Sequence, residues 1–145
     1  MFSGAYEHSV DSKGRTVIPA RFRVRLGEKF ILTKGLNGCL WIFSMEVWQE
    51  IQSGLTPKSF LDQRGIMLER YFLGSAVECV PDRQGRIPIP SHLLAHAGIE
   101  IGSSIWIVGL SDKIEIWNKN RWEELNASFT DELLSRLNAD PQTSE

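Results

Sequence analysis

The chain has 145 residues, 42% of them hydrophobic and 23% charged, enough for one domain with a real core and not the make-up of a disordered chain. No apolar run approaches the roughly 18 residues of a membrane span, and Met1-Phe2-Ser3-Gly4-Ala5-Tyr6-Glu7 lacks the basic flank and apolar stretch of a secretion signal, so a cytosolic protein is expected. The net charge of −2 hides an uneven distribution: residues 1–35 carry seven Lys/Arg against three acids and residues 112–145 four against eight, so a positive face can coexist with an acidic total.

In chain order, residues 5–10 read as a first strand, closed by the turn Asp11-Ser12-Lys13-Gly14-Arg15. Gly14 suits the positive φ of such a turn. Residues 15–18 resume an extended course, and Pro19 fits the first turn of a helix in which Phe22 and Leu26, four apart, share a buried face. Gly27 stops that helix. Residues 30–33 and 40–43 are apolar strands around a Gly-containing turn, and Ser44 caps a helix over 45–52. A connector helix over 60–73, capped by Ser59, offers Leu61, Met67, Leu68 and Phe72 for packing.

The same order then repeats. Asp82-Arg83-Gln84-Gly85-Arg86 lies 71 residues after Asp11-Ser12-Lys13-Gly14-Arg15, and Ile87-Pro88-Ile89-Pro90 follows as Thr16-Val17-Ile18-Pro19 does. Strands at 76–80 and 86–89, a helix holding Leu93 and Ala97 up to Gly98, strands at 105–108 and 114–117 and a helix over 119–127 capped by Asn118 complete the second copy. About three extra residues near Gly102-Ser103-Ser104 move the offset to 74, at which Gly35-Leu36 matches Gly109-Leu110 and Trp48 matches Trp122. Thr130 caps a last helix over 131–137, and 140–145 forms a polar tail expected to be mobile. The expected organisation is a first repeat over 1–54, a helical connector over 55–75, a second repeat over 76–127, and a C-terminal helix and tail over 128–145. Units this small bury too little surface alone, so the two must pack together, most simply about a pseudo-twofold axis.

Few residues suggest catalysis. There is no nucleophile elbow, phosphate-binding loop or zinc-protease motif, and an enzyme is not expected. His92 and His96 are four apart on a helix, but no Glu, Asp or Cys nearby completes a metal set, and the first copy has Arg21 and Arg25 there. His8 reads as a strand surface residue. Cys39 and Cys79 read as buried thiols, and the five tryptophans as packing residues. The repeated turn has two readings. In one, Asp-x-x-Gly shapes a hairpin and the Arg pairs with the Asp across it. In the other, Arg15 and Arg86 address guanine edges, oriented by Asp11 and Asp82, while Lys13 and Arg83 hold phosphates.

Met1-Phe2-x-Gly4-x-Tyr6-x-His8-x-x-Asp11-x-Lys13-Gly14-Arg15, followed by Pro19 and Phe22-Arg23, and the second Asp82-x-x-Gly85-Arg86-Ile87-x-Ile89-Pro90 resemble the MraZ family over nearly the whole chain. The resemblance implies an α+β fold: a β-rich, pseudo-twofold, barrel-like core of two tandem swapped-hairpin units of the AbrB/SpoVT type, with peripheral helices. It implies a nucleoid-associated bacterial repressor that binds promoter direct repeats in double-stranded DNA as a ring-shaped oligomer. The targets it implies are the cell-division and cell-wall gene cluster, including the regulator's own operon. Asp11 and Arg15, and Asp82 and Arg86, are the DNA-binding pairs it implies, with Lys13 and Arg83 beside them on charge and position; no cofactor, metal, membrane or small-molecule substrate is expected. The rival reading is a β-rich adaptor or antitoxin-like scaffold whose basic stretch from Arg21 to Arg25 meets an acidic protein.

Overall fold

The computed structural model describes residues 1–139; the expected polar tail lies outside them. Eight strands and six helices alternate along these residues: β1 (Phe2–Ser9), β2 (Arg15–Val17), α1 (Ala20–Leu26), β3 (Phe30–Lys34), β4 (Leu40–Ser44), α2 (Met45–Leu55), α3 (Gln63–Phe72), β5 (Val77–Cys79), β6 (Arg86–Pro88), α4 (Ser91–Ala97), β7 (Ser104–Ser111), β8 (Lys113–Asn118), α5 (Lys119–Ala127) and α6 (Asp131–Ala139). Six strands form one antiparallel sheet in the order β1-β7-β8-β4-β3-β5, while β2 and β6 pair as a separate ribbon. The sheet does not close into a barrel; it is the β-rich core of an α+β fold with helices around it.

The strand order shows the exchange. The first strand of each repeat pairs with the third strand of the other: β1 with β7, and β5 with β3. The register fixes the symmetry axis. In the ribbon Arg15 faces Pro88, Thr16 faces Ile87 and Val17 faces Arg86, so a shift of 71 returns the ladder to itself about Thr16–Ile87. In the sheet Leu40 faces Ile116, Trp41 faces Glu115 and Ile42 faces Ile114, so a shift of 74 does the same about Trp41–Glu115. The pseudo-twofold axis therefore runs through both pairs, from the ribbon across the middle of the sheet.

Alternation along the strands decides the two faces. Phe30, Leu32, Leu40, Ile42, Ile105, Ile107, Ile114 and Ile116 turn toward the ribbon, α1 and α4, and join Ile18, Phe22, Ile87 and Leu93 in one buried cluster. Each such side chain contributes about 1.5–3 kcal/mol by leaving water. The opposite face packs Ile31, Phe43 and Trp48 with residues of α2 and α3, and Cys39, Val108 and Trp117 with residues of α5. Both repeats contribute to the first cluster, so the two units share one core.

The structure corrects several expected boundaries. β1 starts at Phe2 because Phe2 pairs with Ser111 and buries its ring against Phe22, centroids 5.6 Å apart. β5 is only three residues long, and Val80 lies exposed beyond it. The connector helix begins at Gln63, with Asp62 rather than Ser59 as its cap: the Asp62 carboxylate accepts from the Gly65 and Lys58 backbone N–H groups, each at 3.0 Å. Ser59 is occupied in the preceding turn, accepting from the Leu61 N–H, and such local bonds compete with helix. Leu61 and Met67, expected to pack, are exposed, and Leu68 is exposed too, although less; Phe72 stacks on Trp41 with centroids 5.7 Å apart. Ser44, Asn118 and Thr130 cap as expected. Both cysteines are buried and free. Burial pushes the Cys79 thiol up to about 12, and burial with the Glu115 carboxylate beside it pushes Cys39 higher still.

Trp41 and Glu115, which meet on the axis, are equivalent positions of the two repeats with different residues. Glu115 is buried, yet both its oxygens are used: Oε2 accepts from the Trp41 indole N–H at 2.8 Å and Oε1 from the Trp117 indole N–H at 2.8 Å. The carboxylate thus ties the two halves together beneath the aromatic layer.

Candidate nucleic-acid interface

Each Asp-x-x-Gly-Arg turn is built from its own aspartate. In the first, Asp11 Oδ1 accepts from the backbone N–H groups of Lys13 and Arg15, both at 2.9 Å, and Oδ2 accepts from Arg15 Nε at 2.9 Å. In the second, Asp82 Oδ1 accepts from the backbone N–H groups of Gln84 and Arg86, both at 2.9 Å, and Oδ2 accepts from Arg86 Nε at 2.8 Å. The two turns superpose bond for bond. Gly14 and Gly85 close them at φ of 76° and 78°, a conformation that strains any residue with a Cβ.

The hairpin-only reading is therefore right about geometry: each Arg does pair with its Asp. The pairing leaves something over. Nε is engaged, but neither Nη of Arg15 or Arg86 donates to another group among the described residues. The aspartate fixes the guanidinium plane and leaves its outer edge, a two-donor fork, facing away.

The fold brings the two forks together. The Gly14 carbonyl accepts from the Ile89 N–H at 2.9 Å and the Gly85 carbonyl from the Ile18 N–H at 3.0 Å, so each turn is held by the other repeat. Along the ribbon Thr16 and Ile87 point into the core, which puts Arg15, Val17, Arg86 and Pro88 on the outer side. The arginines stand diagonally across two steps of the ladder, about 8 Å between Cα atoms from standard strand spacings. Lys13 and Arg83 are exposed at the tips of the same turns. All six residues expected at the site thus belong to one ribbon and its two turns.

Other expected residues go elsewhere. His92 Nε2 meets the Ser75 carbonyl at 3.2 Å and His96 Nε2 the Tyr71 hydroxyl at 3.5 Å, both toward the connector, and among the described residues no cluster of three metal-ligating side chains forms. His8 is half-buried on β1, which lowers its pKa. The arginines of α1 do not make a single stripe. Arg21 lies over the rings of Tyr6 and Phe22 and donates to the Tyr6 hydroxyl, and Arg25 lines a separate surface cleft that Phe2 and Glu46 also line. Arg23 instead turns inward onto Gly85 of the other repeat: a Cβ on Gly85 would fall 2.5 Å from Arg23 Cζ and 2.8 Å from its Nε. The sequence held a signal for this, since at the offset of 71 Arg23 aligns with Leu94, a core position.

Both turn aspartates are held below the ordinary carboxylate range. The largest cause is the backbone N–H of Arg15 for Asp11 and of Arg86 for Asp82, and the guanidinium of the same arginine adds to it. A depressed pKa means that the ionised form supports the folded turn. That support is complete above the unfolded carboxylate value of about 3.9 and is lost as the pH falls through the depressed folded value. Carbon-13 titration of the two side chains is expected to give midpoints below that of an unstructured Asp, with the Lys13, Arg15, Gln84 and Arg86 amide resonances moving at the same pH. An ordinary midpoint at either aspartate would contradict the geometry.

Comparison with known proteins gives one family. The family described as "MraZ protein, putative antitoxin-like" matches residues 1–70 and 72–142. A protein named "Transcriptional regulator MraZ" from Caldanaerobacter subterraneus subsp. tengcongensis is 48% identical over 128 residues, covering 88% of each chain. Proteins of the same name from Acetivibrio thermocellus and Alkaliphilus metalliredigens are 46% and 40% identical, covering 85% of each chain in the first case and 94% of this chain and 96% of the relative in the second.

Proposed function

This chain belongs to the MraZ family, and from that premise we propose that it is a sequence-specific DNA-binding transcriptional regulator whose reading element is the β2–β6 ribbon with its two turns. One observation carries the reading: two arginines, each clamped at Nε by an aspartate, hold their free forks side by side on the outer face of a two-stranded ribbon. A major groove admits such a ribbon, and the bidentate partner of an arginine fork there is the O6/N7 edge of guanine. Clamping removes rotamer freedom before binding, which lowers the ordering cost of each contact. Lys13 and Arg83 at the turn tips take phosphates on either side, which sets position rather than sequence. No catalytic step is involved.

One chain presents a single short ribbon, so its grip on DNA is weak by itself. A ring of chains bound to direct repeats spaced near one helical turn would raise the effective concentration of each ribbon at its repeat. In this reading the protein represses its own operon within the cell-division and cell-wall cluster, in the nucleoid. Footprinting on the DNA upstream of its own gene tests this. Protection of regularly spaced repeats, with affinity falling steeply as salt rises, is the expected result. Absence of affinity at low salt would favour the protein-adaptor reading.

A further inference from the structure

The two turns are alike in their bonds and unlike in what backs them. Behind Gly14 lies Leu94, its Cδ1 3.9 Å from where a Cβ would be; behind Gly85 lies the guanidinium of Arg23, flush against the glycine. Arg23 Nε is sealed from solvent with no hydrogen-bond partner, the one such side-chain atom among the described residues. Among the described residues neither Nη donates to any group and Arg23 forms no ion pair, and because Nε alone is sealed, both Nη atoms reach the surface. Asp82, the nearest turn carboxylate in sequence to Gly85, is already committed to Arg86 and two backbone N–H groups.

Arg121 makes a useful contrast. It too lies across glycines, Gly38 and Gly98, but it donates to the Gly38 carbonyl at 3.0 Å and faces the His96 carbonyl at 3.4 Å. Arg121 packs on glycines and still finds backbone acceptors. Arg23 finds none: its Nε stays unpaired in the interior, a costly arrangement, while its two Nη atoms, not sealed, stand open to an acceptor from outside the chain.

The geometry points to Arg23 as an additional DNA-contact residue, which takes a backbone phosphate through its Nη atoms where the Asp82–Arg86 turn meets the duplex. This rests on the DNA-binding reading above. It makes that turn a composite of both repeats, with Arg86 toward the bases and Arg23 from the first repeat toward the phosphate. The first turn has no equivalent cation, since Leu94 stands in its place. The two turns therefore contribute unequally, the second holding one more phosphate than the first.

Arg23→Leu tests this with little risk to folding, because the second repeat already places a leucine at the equivalent position. Binding is measured by fluorescence anisotropy against salt, using one duplex from upstream of the gene and one of scrambled sequence, for the full chain and the variant. The expected result is a log–log salt slope smaller by about 0.9 on both duplexes, and affinity about eightfold lower at 0.1 M salt, the effect of one lost phosphate contact. Adding Leu94→Arg to the variant is expected to restore the slope by giving the first turn the missing cation. An unchanged slope in Arg23→Leu, with wild-type binding salt-dependent and Arg86→Ala impaired, overturns the role of Arg23 alone. A wild-type chain with no salt-dependent DNA binding overturns the DNA reading and this inference together.

Discussion

Replacing Arg15 and Arg86 together with alanine is expected to cost roughly 2–6 kcal/mol of discrimination, at least about thirtyfold in Kd, between the upstream duplex and a scrambled one. Each fork makes no hydrogen bond to the protein, so in the proposed reading truncation removes a DNA contact and, within the turn, only the Nε–Asp pair. The turns themselves should survive. Asp11 and Asp82 still accept two backbone N–H bonds each, and the Gly14 and Gly85 carbonyls remain tied to Ile89 and Ile18. Thermal melting and assembly size are therefore expected to stay close to wild type while specific binding collapses. Undiminished affinity in the double variant would refute the assignment of the ribbon as the reading element.

Glu115→Ala is expected to lower stability by about 2–4 kcal/mol, read as a drop in the urea midpoint at unchanged slope. The carboxylate accepts from two indole N–H groups, and its removal leaves both donors without partners in the aromatic layer between the sheet and its helices. Glu115→Gln should fall in between, because an amide can accept from one indole but turns a donor toward the other. Equal midpoints for wild type and the alanine variant would mean that the layer does not depend on the bond across the halves.

What could be read from the sequence was the part that repeats. The Asp, the Gly and the Arg of each turn stand at fixed spacing, and their local bonds follow from that spacing alone. Ser44 and Asn118 could be read as caps for the same reason, since a cap is a matter of neighbouring residues. What could not be read depends on contacts between the halves. A local pattern places Arg23 on a helix with Arg21 and Arg25 and suggests one basic stripe; only the exchange of strands puts it on Gly85, 62 residues away in the chain. The pairing of Arg15 and Arg86 on a common outer face likewise needs the ribbon register, which neither strand of three residues specifies by itself. The connector misled for a different reason: Ser59 has the right side chain for a cap but accepts from the Leu61 N–H in the preceding turn, and it is the Asp62 carboxylate that the Lys58 and Gly65 amides reach.

The pair on the symmetry axis has a consequence for how such a chain can evolve. In a dimer of identical single repeats, the residue on the axis must face its own copy: glutamate against glutamate, or tryptophan against tryptophan. Joining the repeats in one polypeptide lifted that restriction, and here the position has become a donor on one side and an acceptor on the other, Trp41 and Glu115. The halves are now lock and key. Neither half could pair with its own kind without setting two glutamates or two tryptophans against each other on the axis, so the Glu115–Trp41 bond exists only between unlike halves.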